Sequence, residues 1–226
     1  MPEILRRCAG VLATALVLAG CSSASQDAAS SSTSPSSTPT SDTPTMTPAP
    51  PAPAAPADRP QGFRDYLASI NVAGAPVHLD QAPGLAITVP VPDGWAQTAD
   101  PLFATGVEFI QPVGQTGNGP SVTLMAVELT GPFDPKDAIR HANADALPPG
   151  ATDVTESYDD YDGFPSAAAQ GITGATQHYN RIVIADVPST GKRYLAQLTV
   201  TTPTDQQIAA NPPLKGIVTG FKVAVS

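Results

Sequence analysis

Residues 152–202, TDVTESYDDYDGFPSAAAQGITGATQHYNRIVIADVPSTGKRYLAQLTVTT, decide the fold. Thr152 to Tyr161 and Ser166 to Thr173 flank Asp162-Gly163, a dipeptide suited to the positive φ angles of a type I′ hairpin turn. Tyr179 to Val187 and Arg193 to Thr202 continue the β signals. In the last run Tyr194, Ala196, Leu198 and Val200 face one way, the period-2 pattern of a strand with one buried face. Consecutive hairpin links predict an antiparallel sheet, and the helical stripes on either side of this stretch must pack on it. The fold class is therefore α+β: an antiparallel sheet flanked by helices.

Upstream, Val122 to Leu129 reads as a central strand, because Leu124, Met125, Ala126 and Val127 are apolar on both faces. Val107 to Ile110 is a further strand, and Leu85, Ile87 and Val89 alternate before Pro90 and Pro92 close that run. Pro92-Asp93-Gly94-Trp95 is a turn carrying the single tryptophan. Phe63, Tyr66, Leu67 and Ile70 make the stripe of a short entry helix, which Gly74 is expected to end. Asp134 and Pro135 open a second helix whose stripe, Ala138, Ile139, Ala142 and Ala146, runs to Pro148-Pro149-Gly150. Downstream, Thr204 and Gln207 suggest a capping box, and Leu214, Ile217, Val218 and Phe221 form the last helical stripe.

The first 60 residues follow other rules. Arg6 and Arg7, the apolar run Val11 to Leu18, and Leu18-Ala19-Gly20-Cys21 read as a secretory signal with a lipobox. Residues 1–20 are then the signal peptide, and Cys21 is the lipidated new N-terminus. Its acyl chains would anchor the protein in the membrane, on the outer face of the plasma membrane in the cell envelope. Ser and Thr fill 16 of the 39 positions from 22 to 60 and Pro fills 9, with no Val, Ile, Leu or aromatic residue. Such a segment cannot bury enough apolar area to offset its ordering entropy, so residues 21–60 form a tether. Stretched as polyproline II it would reach on the order of 120 Å. Residues 61–226 are left for one globular domain.

Two cysteines, Cys8 and Cys21, are accounted for by the signal and the anchor. The domain therefore has no thiol for a disulfide, a thiolate metal site or a nucleophile. The formal charge is -9. Glu3, Arg6 and Arg7 leave +1 in the signal, and Asp27, Asp42, Asp58 and Arg59 leave -2 in the tether, so the domain carries -8. An acidic body argues against nucleic acid, which rewards clustered Lys and Arg. His78, His141 and His178 lack metal-ligand spacing, and no G-x-S-x-G elbow or phosphate-cradling loop occurs. Glu156, Asp159, Asp160 and Asp162 lack the order of a calcium loop and read as a solvated hairpin tip. The expectation is a chain that is not an enzyme, with no cofactor and no metal. For binding, Trp95 either anchors its turn on the core or rims an apolar cleft. Phe103, Phe109, Met125 and Phe133 are the candidates to line the same cleft.

The lipobox, the Pro/Ser/Thr tether and several ordered motifs resemble the LpqN/LpqT family of mycobacterial lipoproteins. The motifs are Val91-Pro92-Asp93-Gly94-Trp95, Asp162-Gly163-Phe164-Pro165-Ser166, Asn180-Arg181-Ile182-Val183, Arg193-Tyr194-Leu195-Ala196-Gln197-Leu198-Thr199 and Gly220-Phe221-Lys222-Val223. The resemblance covers residues 61–226 and implies a Mog1/PsbP-like α/β/α sandwich used as a binding module. It also implies work in the actinobacterial cell envelope, with an envelope lipid or a large lipid transporter as partner. The other implied role is a surface adhesin or effector engaging host proteins.

Overall fold

The structure, a computed structural model, describes residues 61–99 and 106–226. The signal, Cys21, the tether and Phe103 lie outside the described residues. Among the described residues, three α-helices and ten strands follow in chain order: α1 Phe63–Ser69, β1 Ala73–Val77, β2 Leu85–Thr88, β3 Trp95–Ala99, β4 Val107–Pro112, β5 Ser121–Thr130, α2 Pro135–Ile139, β6 Thr152–Ser157, β7 Ser166–Thr173, β8 Thr176–Val187, β9 Lys192–Pro203, α3 Pro212–Gly220 and β10 Lys222–Val225. Eight strands make one antiparallel sheet in the order β3-β4-β5-β9-β8-β7-β6, with β1 pairing β5 beyond the end of β4. Two meanders, β3 to β5 and β6 to β9, are thus joined by the β5–β9 pairing, which runs from Ser121↔Thr201 to Leu129↔Arg193. β2 and β10 pair separately.

The long strands are buried on both faces, and each face belongs to a different core. On one, Val183, Val187, Tyr194, Leu198 and Val200 pack with Leu214, Ile217 and Phe221 of α3 and its C-terminal end. On the other, Ile182, Ile184 and Leu195 pack with Phe63 and Leu67 of α1 and Ala138 and Ile139 of α2. Neighbours along β8 and β9 point to opposite faces, so helices cover the sheet on both sides and the class is α+β. The Asp162-Gly163 turn forms as its chemistry demands, with φ of 52° and 87° and a Tyr161↔Phe164 bridge closing it. It sits inside a wider connection between β6 and β7.

Four local expectations need correction. The entry helix ends at Asn71, not Gly74: Asn71 takes φ 58°, its N–H donates to Ala68, and the N–H of Val72 donates to Leu67. That is a Schellman end with asparagine in the left-handed position, and Gly74 lies inside β1. The second helix is one short piece. Asp134 caps it through the N–H of Lys136 at 2.8 Å, but after Ile139 the chain continues in i→i−3 bonds such as Ala142 to Ile139. There Asn143 turns inward to donate to the Ala168 carbonyl. The Thr204/Gln207 capping box does not form; Asn211 caps the last helix instead, accepting from the N–H of Leu214. The acidic hairpin tip is not wholly solvated, because Asp162 accepts from the N–H of Val223 at 2.9 Å and faces Lys222. It pins the hairpin to β10.

Candidate functional site

On the face that carries α1 and α2, the apolar positions give out partway along the strands. Beyond Ile182 on β8 comes Asn180, and beyond Leu195 on β9 come Gln197, Thr199 and Thr201. The register sets these side by side in cross-strand rows. One row runs Thr98, Phe109, Thr123, Thr199, Asn180. Another runs Ser121, Thr201, His178. Half of this sheet face is thus surfaced by hydroxyls and amides.

The polar groups are mutually fixed. Asn180 is only 2% exposed, and its Oδ1 accepts from Gln197 Nε2 at 2.7 Å and from Thr199 Oγ1 at 2.9 Å. The Ser121 and Thr201 hydroxyls lie 2.7 Å apart. A buried amide tied to two neighbours holds them in one orientation, so the hydroxyls present a preset pattern. A groove of about 560 Å³ opens over this end of the sheet. Thr98, Phe109, Gln111, Ser121 and Thr201 form its strand side, and Gln115 and Asn118 of the β4–β5 loop form the opposite side. Among the described residues, no charged one lines it. A separate, smaller cavity of about 280 Å³ is lined by Asn180, Gln197 and Thr199 of the sheet and by Phe63, Arg64 and Asp145. His178 lies in the same polar surface, and partial burial lowers its pKa from the ordinary 6.5.

The aromatic candidates do not meet in one cleft. Phe109 and Met125 share the polar face, Phe109 lining the groove and Met125 opposite Gln197. Trp95 pairs with Pro112 at the start of β3 and packs, half-buried, against the α3-side core. Phe133 lies toward the other end of the sheet, packed against the α1–α2 core with the Arg193 guanidinium 4.3 Å above its ring. The polar residues that build the groove were not among the candidates. Their only sequence signal is the polar half of the alternation along β5 and β9, which any solvent-facing strand shares.

Several other titratable groups have local partners. His141 stacks on Tyr66 with ring centroids 3.9 Å apart. Arg181 donates to the Tyr179 and Ser166 hydroxyls and lies over the Tyr161 ring. Burial first, then the neighbouring Asp162, raise the Tyr161 pKa, and its hydroxyl donates to the Phe221 carbonyl. Among the described residues no group of three or more His, Cys, Asp or Glu is placed to hold a metal ion. No described helix is long and apolar enough to cross a membrane.

Comparison with known proteins agrees with this architecture. A solved structure, that of LpqN involved in cell envelope biogenesis of Mycobacterium tuberculosis, superposes with a TM-score of 0.60 at 20% identity, covering 72% of this chain and 97% of that one. That likeness defines the fold. Lipoprotein LpqT of Mycobacterium leprae is 36% identical over 173 residues, covering 74% of this chain and 78% of its own length. LpqT of M. tuberculosis strain H37Rv is 34% identical over 165 residues, covering 70% and 72%. A proline-rich 28 kDa antigen homolog of M. leprae is 32% identical over 171 residues, covering 73% and 60%. Residues 59–224 match the sequence model of the family described as "Probable lipoprotein LpqN". The class is that of mycobacterial-type lipoproteins built on this α+β sandwich. The chain belongs to the LpqN lipoprotein family.

Proposed function

We propose that this chain is a membrane-anchored, non-catalytic binding module of the cell envelope, whose groove takes the uncharged, hydroxyl-rich head of an envelope lipid. The observation that carries the reading is the groove's lining: hydroxyls and amides, with Ser121 and Thr201 hydrogen-bonded to each other, one aromatic ring, and no charge among the described residues. Hydroxyl and amide groups can each donate and accept, which suits a polyhydroxylated ligand. Phe109 supplies an apolar surface for the less polar side of such a head. An anionic head would find no cation among the described lining residues. Anchoring through Cys21 and placement on the outer face of the plasma membrane come from the lipobox and from the lipoprotein names of the relatives. The envelope role also accords with the involvement of the structural neighbour, LpqN, in cell envelope biogenesis.

The test is titration of the ¹⁵N-labelled full chain, held in polyoxyethylene detergent, with octyl glucoside and separately with octyl phosphocholine. Saturable shifts at Phe109, Ser121 and Thr201 with the glycoside alone would support the reading. Equal response to both amphiphiles, or shifts away from these residues, would reject it.

A further inference from the structure

We infer that α1 is a hinged strap that regulates the proposed groove. Closed, it shelters the Asn180 end of the polar sheet face; lifted, it joins that end to the groove. What the groove binds rests on the proposed function, whereas the motion of the helix rests on geometry alone.

The polar face does not stop where the groove does. In the cross-strand row Thr98, Phe109, Thr123, Thr199, Asn180, the first two residues line the groove and the last two line the smaller cavity. Phe63 and Arg64 of α1 also line that cavity, and Phe63 and Leu67 pack on the same sheet face at Ile182, Ile184 and Leu195. Protein interiors leave few voids larger than a water molecule. A cavity of about 280 Å³ therefore means that α1 stands off the polar part of the sheet while packing on the apolar part. Asn180 is nonetheless almost fully buried.

The two ends of α1 are held unequally. At the C-terminal end, the N–H groups of Asn71 and Val72 donate to Ala68 and Leu67, and Val72 is buried. Gly131 backs on this turn so closely that a Cβ there would meet the Asn71 carbonyl at 3.0 Å. From Ala73 the chain is then paired with β5, which makes the Asn71 turn the fixed point. At the N-terminal end, Gly62 provides no side-chain cap, and the Phe63 N–H reaches Asp145 only at 3.4 Å, a long bond. Phe63 and Leu67 are the helix's buried side chains, and Tyr66 rests on His141. Seven residues are too few for a helix to persist alone in water, so docking depends on these contacts. An element with few buried apolar contacts opens at low cost. The tether joins α1 at this loosely held end, the end through which the proposed anchor would pull.

The test locks the strap. A Cβ at Gly62 would lie 3.6 Å from the Asp145 Cβ, within the spacing of a disulfide, and residues 61–226 contain no cysteine. Gly62→Cys/Asp145→Cys in the ¹⁵N-labelled full chain, held in polyoxyethylene detergent, therefore closes α1 when oxidised and frees it when reduced. The first readout needs no ligand: exchange of the Asn180 side-chain amide with water should be about tenfold slower in the oxidised form, because local opening governs exchange. The second is titration with octyl glucoside, with shifts at Ser121 and Thr201 expected in both forms and extending to Gln197 and Thr199 only in the reduced one. Equal exchange in the two forms would overturn the strap, whatever the glycoside does. Slowed exchange with identical glycoside shifts in both forms would overturn its regulation of the groove. Slowed exchange with no glycoside response in either form would reject the groove's proposed function and leave the strap standing. If the double variant is less folded by circular dichroism, Leu67→Ala takes its place, since it removes one of the helix's two buried side chains. It should speed Asn180 exchange by about tenfold while the backbone amides of β5 and β9 keep their rates, and no change at Asn180 would overturn the inference.

Discussion

The two faces of the sheet are built from the same strands, yet they end differently. Toward α3, the alternating positions of β8 and β9 stay apolar from Val183 to Val187 and from Tyr194 to Val200, and α3 with Phe221 closes over them. Toward α1 and α2, the apolar surface stops at Ile182 and Leu195, and the remaining positions carry Asn180, Gln197, Thr199 and Thr201. Apolar area removed from water stabilises at about 25 cal/mol per Å², so a strand face left polar forgoes that gain. The first face holds the fold together. The second, fixed by its own hydrogen bonds, is the face on which the proposed binding rests.

Substitutions can sharpen or break that division. The largest effect is expected on the α3 side: Phe221 is fully buried and stacked on Tyr161, so Phe221→Ala should cost about 3–5 kcal/mol in urea denaturation. Asn180→Ala removes the acceptor of Gln197 and Thr199, and because both donors are half-exposed the loss should be nearer 1–2 kcal/mol. If it matched the cost of Phe221→Ala, the polar face would be as structural as the apolar one. Thr201→Ala should change stability by less than about 1 kcal/mol, since its one hydroxyl bond to Ser121 is part-exposed. The same substitution should weaken binding of octyl glucoside.

The smallest effect is on pH dependence. The folded state lowers the pKa of His178 through burial, so below its unfolded value of about 6.5 the unfolded chain binds more protons. Stability linked to His178 is then complete above that value and lost as pH falls through the lowered folded pKa. His178→Gln should flatten the melting temperature over that interval, and an unchanged slope would show that His178 is not desolvated.

Much of the sandwich was legible because its signals are local. Asp162-Gly163 permits only a narrow choice of turn, and Tyr194 to Val200 alternates without interruption. Competition between nearby signals misled elsewhere. Asn71 took the left-handed position three residues before the glycine expected to end α1, and Asn211 outcompeted Thr204 as a cap because the prolines at 212 and 213 preset the first turn behind it. The site was less legible for a different reason. Whether Thr199 and Thr201 face bulk water or a groove depends on how far α1 and α2 extend over the sheet. Whether Trp95 and Phe109 share a face depends on the β3–β4 register, in which Trp95 opposes Pro112 and Thr98 opposes Phe109. Neither is a property of any one segment.

The most direct test is native mass spectrometry of the full chain, released from detergent after incubation with an envelope lipid extract, for the native sequence, Phe109→Ala and Trp95→Ala. A stoichiometric lipid adduct lost in Phe109→Ala and kept in Trp95→Ala would support the polar groove as the binding surface. An adduct that depends on Trp95, or no adduct with the native sequence, would contradict it.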